Sequence, residues 1–398
     1  MNYRDVIYKH LDKYDLDVRK SGDARFSDQK CTPDVVCFIA DCVLNTVHGA
    51  EAFDVNTIWL SHYFKKNTRA IFNKPWVDDE RAHSEYDKFI AQPLRLLAYA
   101  HVLELDQSSG RNIFRIGNQE ILEYIAQRER NTFNFLYCYF RKVLTDSGFW
   151  KYFEEYESCP TKDSYMELRD RFIKFMIGNT RINGAVEVRR IFPKILNVLA
   201  VEHQINGSER GHMSEYAFAF PDLMYNRKNW RDLDKEKTIT RQEAVSDDDD
   251  AQQQEEYSAY LVQKAIALIK KIHSESEVHD QWGNGEATQV HHIFPKAAYP
   301  SIAHYLENLI LLTATQHFTK AHPNNKTQQV NRDYQLVCLL AKADTIDKSL
   351  RKYGDKYYRK ESFLYVIQVG LSLEQSWPMS LSFTDIKKKL ALVYNGVA

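Results

Sequence analysis

Five of the chain's fourteen histidines fall within residues 289–325, QVHHIFPKAAYPSIAHYLENLILLTATQHFTKAHPNN. A neutral imidazole can take a proton near pH 7 or ligate a metal ion, so such a cluster has chemical capacity. His291 and His292 are adjacent, and His317 and His322 follow the apolar run Leu309 to Leu312. Asn308 stands directly before that run. The pattern predicts strand, loop, strand, helix. Residues 289–293 form a strand ending in the paired histidines, and residues 309–313 are long enough only for a short buried strand. Thr313 or Thr315 caps a helix carrying residues 316–322, and Pro323 stops it. Side chains alternate along a strand, so His291 and His292 point to opposite faces. The arrangement can bring His291, His292 and His317 to one point.

The order and spacing of these residues resemble the HNH (ββα-metal) nuclease motif. Asn308 lies sixteen residues after His292, His317 nine after that, and the NLILLT strand precedes the last histidine. The likeness covers about a tenth of the chain. More loosely, a large N-terminal region followed by an HHIFP-type motif resembles HNH restriction endonucleases. Phosphodiester hydrolysis needs an activated water, a Lewis acid on the phosphate and help for the leaving oxygen. The resemblance implies that His292 is the general base and that His291 and His317 hold a divalent metal, Mg²⁺ or an ion such as Mn²⁺. It implies that Asn308 holds the base-bearing loop through side-chain to backbone hydrogen bonds. The chain departs from the most histidine-rich form of the pattern: position i+4 from His317 is Ala321, and His322 stands at i+5. His322 is a candidate third ligand if the helix unwinds before Pro323, and a cap for the last carbonyls otherwise. Lys296 and His304, in the intervening loop, are candidates for phosphate contact.

Paired histidines are more often surface or satisfied core residues, and only the joint pattern outweighs that reading. Structural zinc without catalysis is the main competitor, since imidazole suits zinc. No CxxC pair flanks the motif, which argues against a cysteine-based zinc site. The six cysteines show no ligand or disulfide spacing and fit a reducing cytoplasm. The N-terminal residues lack an apolar signal core, and no apolar run is long enough to span a membrane.

The elements that must position this motif read as mostly helical, and the fold class expected is mainly α with the small ββα-metal motif embedded in it. With 398 residues the chain can hold two or three cores. Its formal net charge of −1 excludes a protein basic overall, though DNA binding needs only a basic face. Residues 1–125 are expected to form a helical, winged-helix-like DNA-recognition region. There Thr32-Pro33 opens a helix, Arg19, Lys20, Arg25 and Lys30 make a basic loop, and residues 102–105 and 112–116 flank a Ser-Ser-Gly turn as a hairpin. In such a module Lys65, Lys66, Asn67 and Arg69 are candidate DNA contacts; the plainer reading is a helical domain with one surface hairpin. Residues 126–239 read as a helical middle region. Its end is polar and irregular, with Arg227 and Lys228 beside Trp230 suited to phosphate contact. Residues 240–256, with four consecutive aspartates, read as an acidic linker. Residues 257–398 carry the motif and C-terminal helices, and Arg351 and Lys352 in RKYGDKYYRK are further candidate backbone contacts.

Together these readings predict metal-dependent cleavage of double-stranded DNA at a specific sequence, as by a type II restriction endonuclease. Cutting both strands favours a homodimer facing a symmetric target. The alternatives are a modification-dependent or nonspecific nuclease, an RNA-acting one, and a noncatalytic DNA-binding protein with structural zinc.

Overall fold

The computed structural model describes residues 2–49, 51–72, 77, 83–108, 110–225, 247–322 and 330–396; of 83 and 247–254 it describes the backbone alone. The described residues are mainly helical, with three small two-stranded sheets. They divide into two compact units, residues 4–249 and residues 1–3 with 250–398. No helix among them is long and apolar enough to cross a membrane.

In the N-terminal unit α1 (Tyr3–Leu11) and the single turn α2 (Val18–Ser21) precede α3 (Pro33–Thr46). Thr32 and Pro33 open α3, and its residues 33 to 43 are all buried. A helix buried on every side, here including Asp34 and Asp41, belongs at the centre of a core, and three helices introduced below, α6, α7 and α8, pack around it. Next come α4 (Val55–Trp59), with an Asp54–Thr57 capping box, α5 (His62–Phe72) and α6 (His83–Tyr99). The strands β1 (Leu103–Asp106) and β2 (Ile113–Ile116) form an antiparallel hairpin. Phe53 pairs with Phe114 of β2 through two backbone hydrogen bonds of 2.9 and 2.8 Å. The sheet therefore gains a third, one-residue strand on the β2 side.

The helical pattern over residues 118–148 is two helices, α7 (Gln119–Gln127) and α8 (Glu129–Asp146), broken by the extended backbone of Arg128. The helices α9 (Trp150–Ser158), α10 (Lys162–Asn179) and α11 (Ala185–His203) complete the unit with a second hairpin, β3 (Asn206–Glu209) and β4 (His212–Ala217). That hairpin lies where an irregular segment was expected.

The expected linker over 240–256 is helical from Asp247 on, as the first part of α12 (Asp247–Ile272). In the C-terminal unit β5 (Ala287–His292) and β6 (Leu309–Thr313) pair antiparallel, with His291 opposite Ile310 and His292 opposite Leu309. All five residues of β6 are buried. A short helical turn at residues 316–321 follows. Then come α13 (Arg332–Tyr353), α14 (Lys360–Gly370) and α15 (Phe383–Tyr394). These helices supply Leu339, Ile346, Leu364, Ile367 and Leu390 to one core with β6, Ile293 and Phe294. Gly370 packs so tightly on the Phe294 ring that a Cβ there would fall 2.4 Å from it.

Candidate metal and hydrolytic site

The end of β5 splits its two histidines as strand alternation requires. His291 turns inward and is 2% exposed. His317 and His322 meet it: the three offer ring nitrogens all within 4.8 Å of one another, an arrangement that could hold a metal ion. Ring centroids are 5.4 Å apart for His291–His317, 4.9 Å for His291–His322 and 4.8 Å for His317–His322. The Nε2 of His291 and the Nδ1 of His317 are buried without a hydrogen-bond partner. Buried polar atoms of this kind are rare in folded proteins and ask for an explanation; a bound cation supplies one. Desolvation first, then the neighbouring imidazoles, holds His291 well below its ordinary pKa and His317 at about 4. Both rings are therefore neutral at pH 7, the form that ligates metal.

The turn after β6 explains how a histidine at i+5 joins the cluster. It is a π-helical turn, Gln316–Ala321. In an α-helix residues five apart diverge by roughly 140° about the axis, at about 100° per residue. A π-turn bonds i to i+5 and returns such residues to one face. Of the two threonines that could cap it, Thr313 does so: its Oγ1 accepts from the Gln316 N–H at 3.2 Å, whereas Thr315 makes no side-chain cap bond.

On the opposite face of β5, the Nε2 of His292 lies 3.0 Å from the carbonyl oxygen of Ala303. A carbonyl only accepts, so Nε2 carries the proton and Nδ1 keeps its lone pair. Burial chiefly, with the charge of Lys296 adding to it, lowers the His292 pKa against the opposing pull of the Ala303 carbonyl. The ring is thus neutral near pH 7 with a free proton acceptor.

Asn308 is fully buried and ties down the loop between the strands. Its Oδ1 accepts from the Phe294 N–H at 2.9 Å, and its Nδ2 donates to the carbonyls of Phe294 and Ile302 at 3.1 and 3.2 Å. Ile302 directly precedes Ala303, so Asn308 also locates the acceptor that fixes the His292 tautomer. A pocket of about 1070 Å³ contains both sets of groups, lined by His291, His292, His317 and His322 together with Lys296 and His304. Lys296 is exposed at its edge, and burial lowers the pKa of His304.

The remaining candidates lie elsewhere. Arg351 and Lys352 are exposed at the end of α13 but do not line the pocket. Arg351 is paired with Asp347 at 2.5 Å and Lys352 lies 4.8 Å over the Tyr353 ring. Lys65, Lys66 and Arg69 are on α5 of the N-terminal unit, Lys66 and Arg69 exposed and Lys65 half-buried. Asn67 is buried and donates to the carbonyl of Tyr63, so it is a packing residue. Arg227 and Lys228 lie outside the described residues. The basic loop at residues 19–30 is neutralised by its neighbours. Arg19 pairs with Asp17 at 2.8 Å and Arg25 with Asp28 at 2.5 Å. Lys20 pairs with Asp15 and Lys30 with Glu85. Arg25 also meets Glu187 at 3.1 Å; Asp15, Asp17 and Asp28 are close enough in sequence for a count of both signs to show the pairing, whereas Glu85 and Glu187 are not.

Gln316 is the site residue that the sequence reading passed over. It is fully buried beside His317, and its Oε1 accepts from the Thr313 N–H at 3.0 Å. With the Thr313 cap this closes a capping box, and the T-x-x-Q pattern of residues 313–316 was its signal.

No family model, curated protein or solved structure matches the chain.

Proposed function

We propose that the chain is a metal-dependent endonuclease of the HNH type that its residues 289–325 resemble, hydrolysing phosphodiester bonds of double-stranded DNA. The observation that carries this reading is the pairing, in one pocket, of a neutral His292 whose tautomer is fixed by Ala303 with a trio of imidazoles able to hold a cation. When bound, a divalent ion supplies Lewis acidity to the phosphate and stabilises charge on the leaving oxygen. His292 Nδ1 takes the proton from the attacking water, and Nε2–H stays donated to Ala303, which stabilises the imidazolium that forms. Asn308 holds that acceptor in place. Lys296, exposed at the pocket edge, meets a phosphate oxygen as the substrate backbone enters.

The donor set bears on the metal. Three imidazoles suit a borderline ion such as Fe²⁺, Co²⁺, Ni²⁺ or Zn²⁺, with Mn²⁺ the weakest binder of that first-row series. Mg²⁺ prefers carboxylate, phosphate and water oxygens, so Mn²⁺ is the better fit of the two ions expected from the motif.

The N-terminal unit supports a sequence-reading role, which makes a site-specific restriction enzyme our preferred reading. The order α3, Phe53, α4, α5, α6, β1, β2, with Phe53 pairing onto β2, favours a winged-helix reading with one helix more than the usual order, in which a helix would enter the major groove and the β1–β2 wing would meet the backbone. Lys65, Lys66 and Arg69 are its proposed phosphate contacts. A homodimer would cut both strands of a symmetric site. The free cysteines, all buried except Cys159, suit the cytoplasm.

The test is incubation of the purified protein with unmethylated phage DNA, without metal and with Mn²⁺, Mg²⁺ or Zn²⁺, beside a His292→Ala control. Discrete bands that need metal, and that slow by about 10²–10⁴-fold in the variant, are expected. A smear lost in the variant would keep the chemistry and remove the site-specific claim. Equal cutting of single-stranded RNA would move the substrate to RNA. Metal binding with no cleavage of any of these substrates, modified DNA included, would leave structural zinc.

A further inference from the structure

The metal trio needs its π-turn held open, and the hydrogen bonds around Gln316 point to what holds it. Its amide is saturated. Oε1 accepts from the Thr313 N–H at 3.0 Å and from the Ser276 hydroxyl at 2.6 Å. Nε2 donates to the Val278 carbonyl and to Asp280 Oδ1, both at 2.8 Å. The segment receiving those bonds is itself fixed. Asp280 Oδ2 accepts from the Tyr334 hydroxyl of α13 at 3.0 Å, and Asp280 Oδ1 accepts from the Trp282 N–H at 2.9 Å. Gly283 completes the seat. A Cβ there would lie 2.8 Å from the Val278 carbonyl oxygen and 3.2 Å from the Gln316 Nε2. With the Asp280 carbonyl also at 3.2 Å, residue 283 must lack a side chain for the 278–280 turn and the Gln316 amide to close together.

A capping box uses only one of these four side-chain bonds, that from the Thr313 N–H. The two Nε2 bonds do something else: they dock the first residue of the π-turn onto residues 278–280. The turn's other end is tied by the Asn331 N–H donating to the Ala321 carbonyl at 2.9 Å. Isolated π-turns are uncommon because their hydrogen-bond geometry is unfavourable, and relaxation to α would swing His322 away from His317. We propose that Gln316 is a positioning residue for the metal site: its carboxamide, seated over Gly283, fixes the π-turn that puts His317 and His322 on one face. This rests on the reading of the histidine trio as a metal site.

The test uses the full chain and two probes, Co²⁺ followed by its visible absorption and Zn²⁺ by competition with a chelating dye. Four proteins are compared: the wild type, His317→Ala, Gln316→Glu and Gln316→Leu. Gln316→Glu keeps the acceptor that closes the capping box and loses both donors, facing Asp280 with a second carboxylate. Gln316→Leu removes all four side-chain bonds without adding a charge, and whichever of the two variants keeps the wild-type circular dichroism carries the comparison. The expected result is binding by the wild type, its loss in His317→Ala, and an affinity about 10–100-fold weaker in Gln316→Glu, with an altered Co²⁺ spectrum. Far-ultraviolet circular dichroism serves as the check on folding. A purely structural role would lower the unfolding temperature of the metal-free protein but leave the affinity and spectrum of the folded protein unchanged, and that outcome overturns the proposal. Absence of binding in the wild type and in His317→Ala alike would instead remove the metal site, and with it the function assigned to Gln316.

Discussion

Two of the polar clusters buried in the C-terminal unit differ in one respect. The charge of Lys342 is matched. Its ammonium, fully buried, donates to Glu277 Oε2 at 2.7 Å and to the Tyr358 hydroxyl at 3.3 Å. Glu277 Oε1 accepts from the Leu311 N–H at 2.9 Å, and Tyr358 shares a 2.7 Å bond with His273. Around His291 the opposite holds, with two ring nitrogens buried and unmatched. Both clusters touch the β5–β6 sheet, so both look equally structural in a burial profile. The difference teaches that satisfaction, more than burial, separates groups that hold a fold from groups kept ready for a ligand.

The comparison breaks most visibly at Lys342. Lys342→Met leaves Glu277 buried without its cation and should lower the unfolding free energy by about 3–5 kcal/mol. Urea unfolding, with and without metal, should show the same loss in both. If the loss disappears on adding metal, the two clusters are not independent.

The histidine trio should behave in reverse. Saturating Zn²⁺ or Mn²⁺ at about 100 times its dissociation constant stabilises a protein by about 2.7 kcal/mol, and a chelator should reverse the gain. His291→Ala should abolish this response while changing the metal-free stability far less than Lys342→Met does. A metal-induced shift that survives His291→Ala would place the ion elsewhere.

Asn308→Ala sharpens the contrast, because Asn308 belongs to the satisfied class yet serves the pocket. It leaves the N–H and the carbonyl of Phe294 without their side-chain partner, at about 1–3 kcal/mol for each group left buried and unpaired. Cleavage should fall as well, since Ala303 is no longer held against His292. Normal turnover in a destabilised variant would separate the loop from the chemistry.

The smallest effect is one of pH. In the N-terminal unit His10 has both nitrogens occupied, by the Ala100 carbonyl and the Asn118 side chain, each at 3.0 Å. Burial lowers its pKa. The folded state therefore resists a proton that the unfolded state accepts, so the unfolded state binds more protons. Stability is full above the unfolded value of about 6.5 and declines as pH falls through it towards the lowered one. His10→Gln should flatten the unfolding midpoint between neutrality and mild acid. An unchanged slope would show that His10 is not the group responsible.

Much of this organisation was legible in the residues. The apolar run before His317 gave β6 its limits, and the Thr32-Pro33 pair gave α3 its start. The alternation of His291 and His292 gave their opposite faces. What the sequence concealed has physical reasons. In the β3–β4 hairpin β3 is Asn-Gly-Ser-Glu and β4 has only Tyr216 with a strong strand preference, and the hairpin is held by pairing and by side chains such as Asn197. Arg128 interrupts a helical pattern with neither proline nor glycine to mark the break. The i+5 spacing of His317 and His322 is invisible to any reading that assumes 3.6 residues per turn. The buried fit of Gln316 over Gly283 joins positions 33 apart, and no local pattern reports such a pair.

The π-turn also has a consequence for chain length. It holds one residue more than an α-helical turn spanning the same two ligands. Removing one residue from positions 318–321 would bring the histidines to i+4, where an ordinary α-turn already stacks them. The segment should therefore tolerate a single-residue deletion that most buried helices would not, and a deletion variant of Thr319 should keep its Co²⁺ spectrum. A variant folded but blind to Co²⁺ would show that the turn's length, like its hydrogen bonds, is fixed. Otherwise this short piece of backbone is a place where the chain can shorten by one residue without giving up its metal.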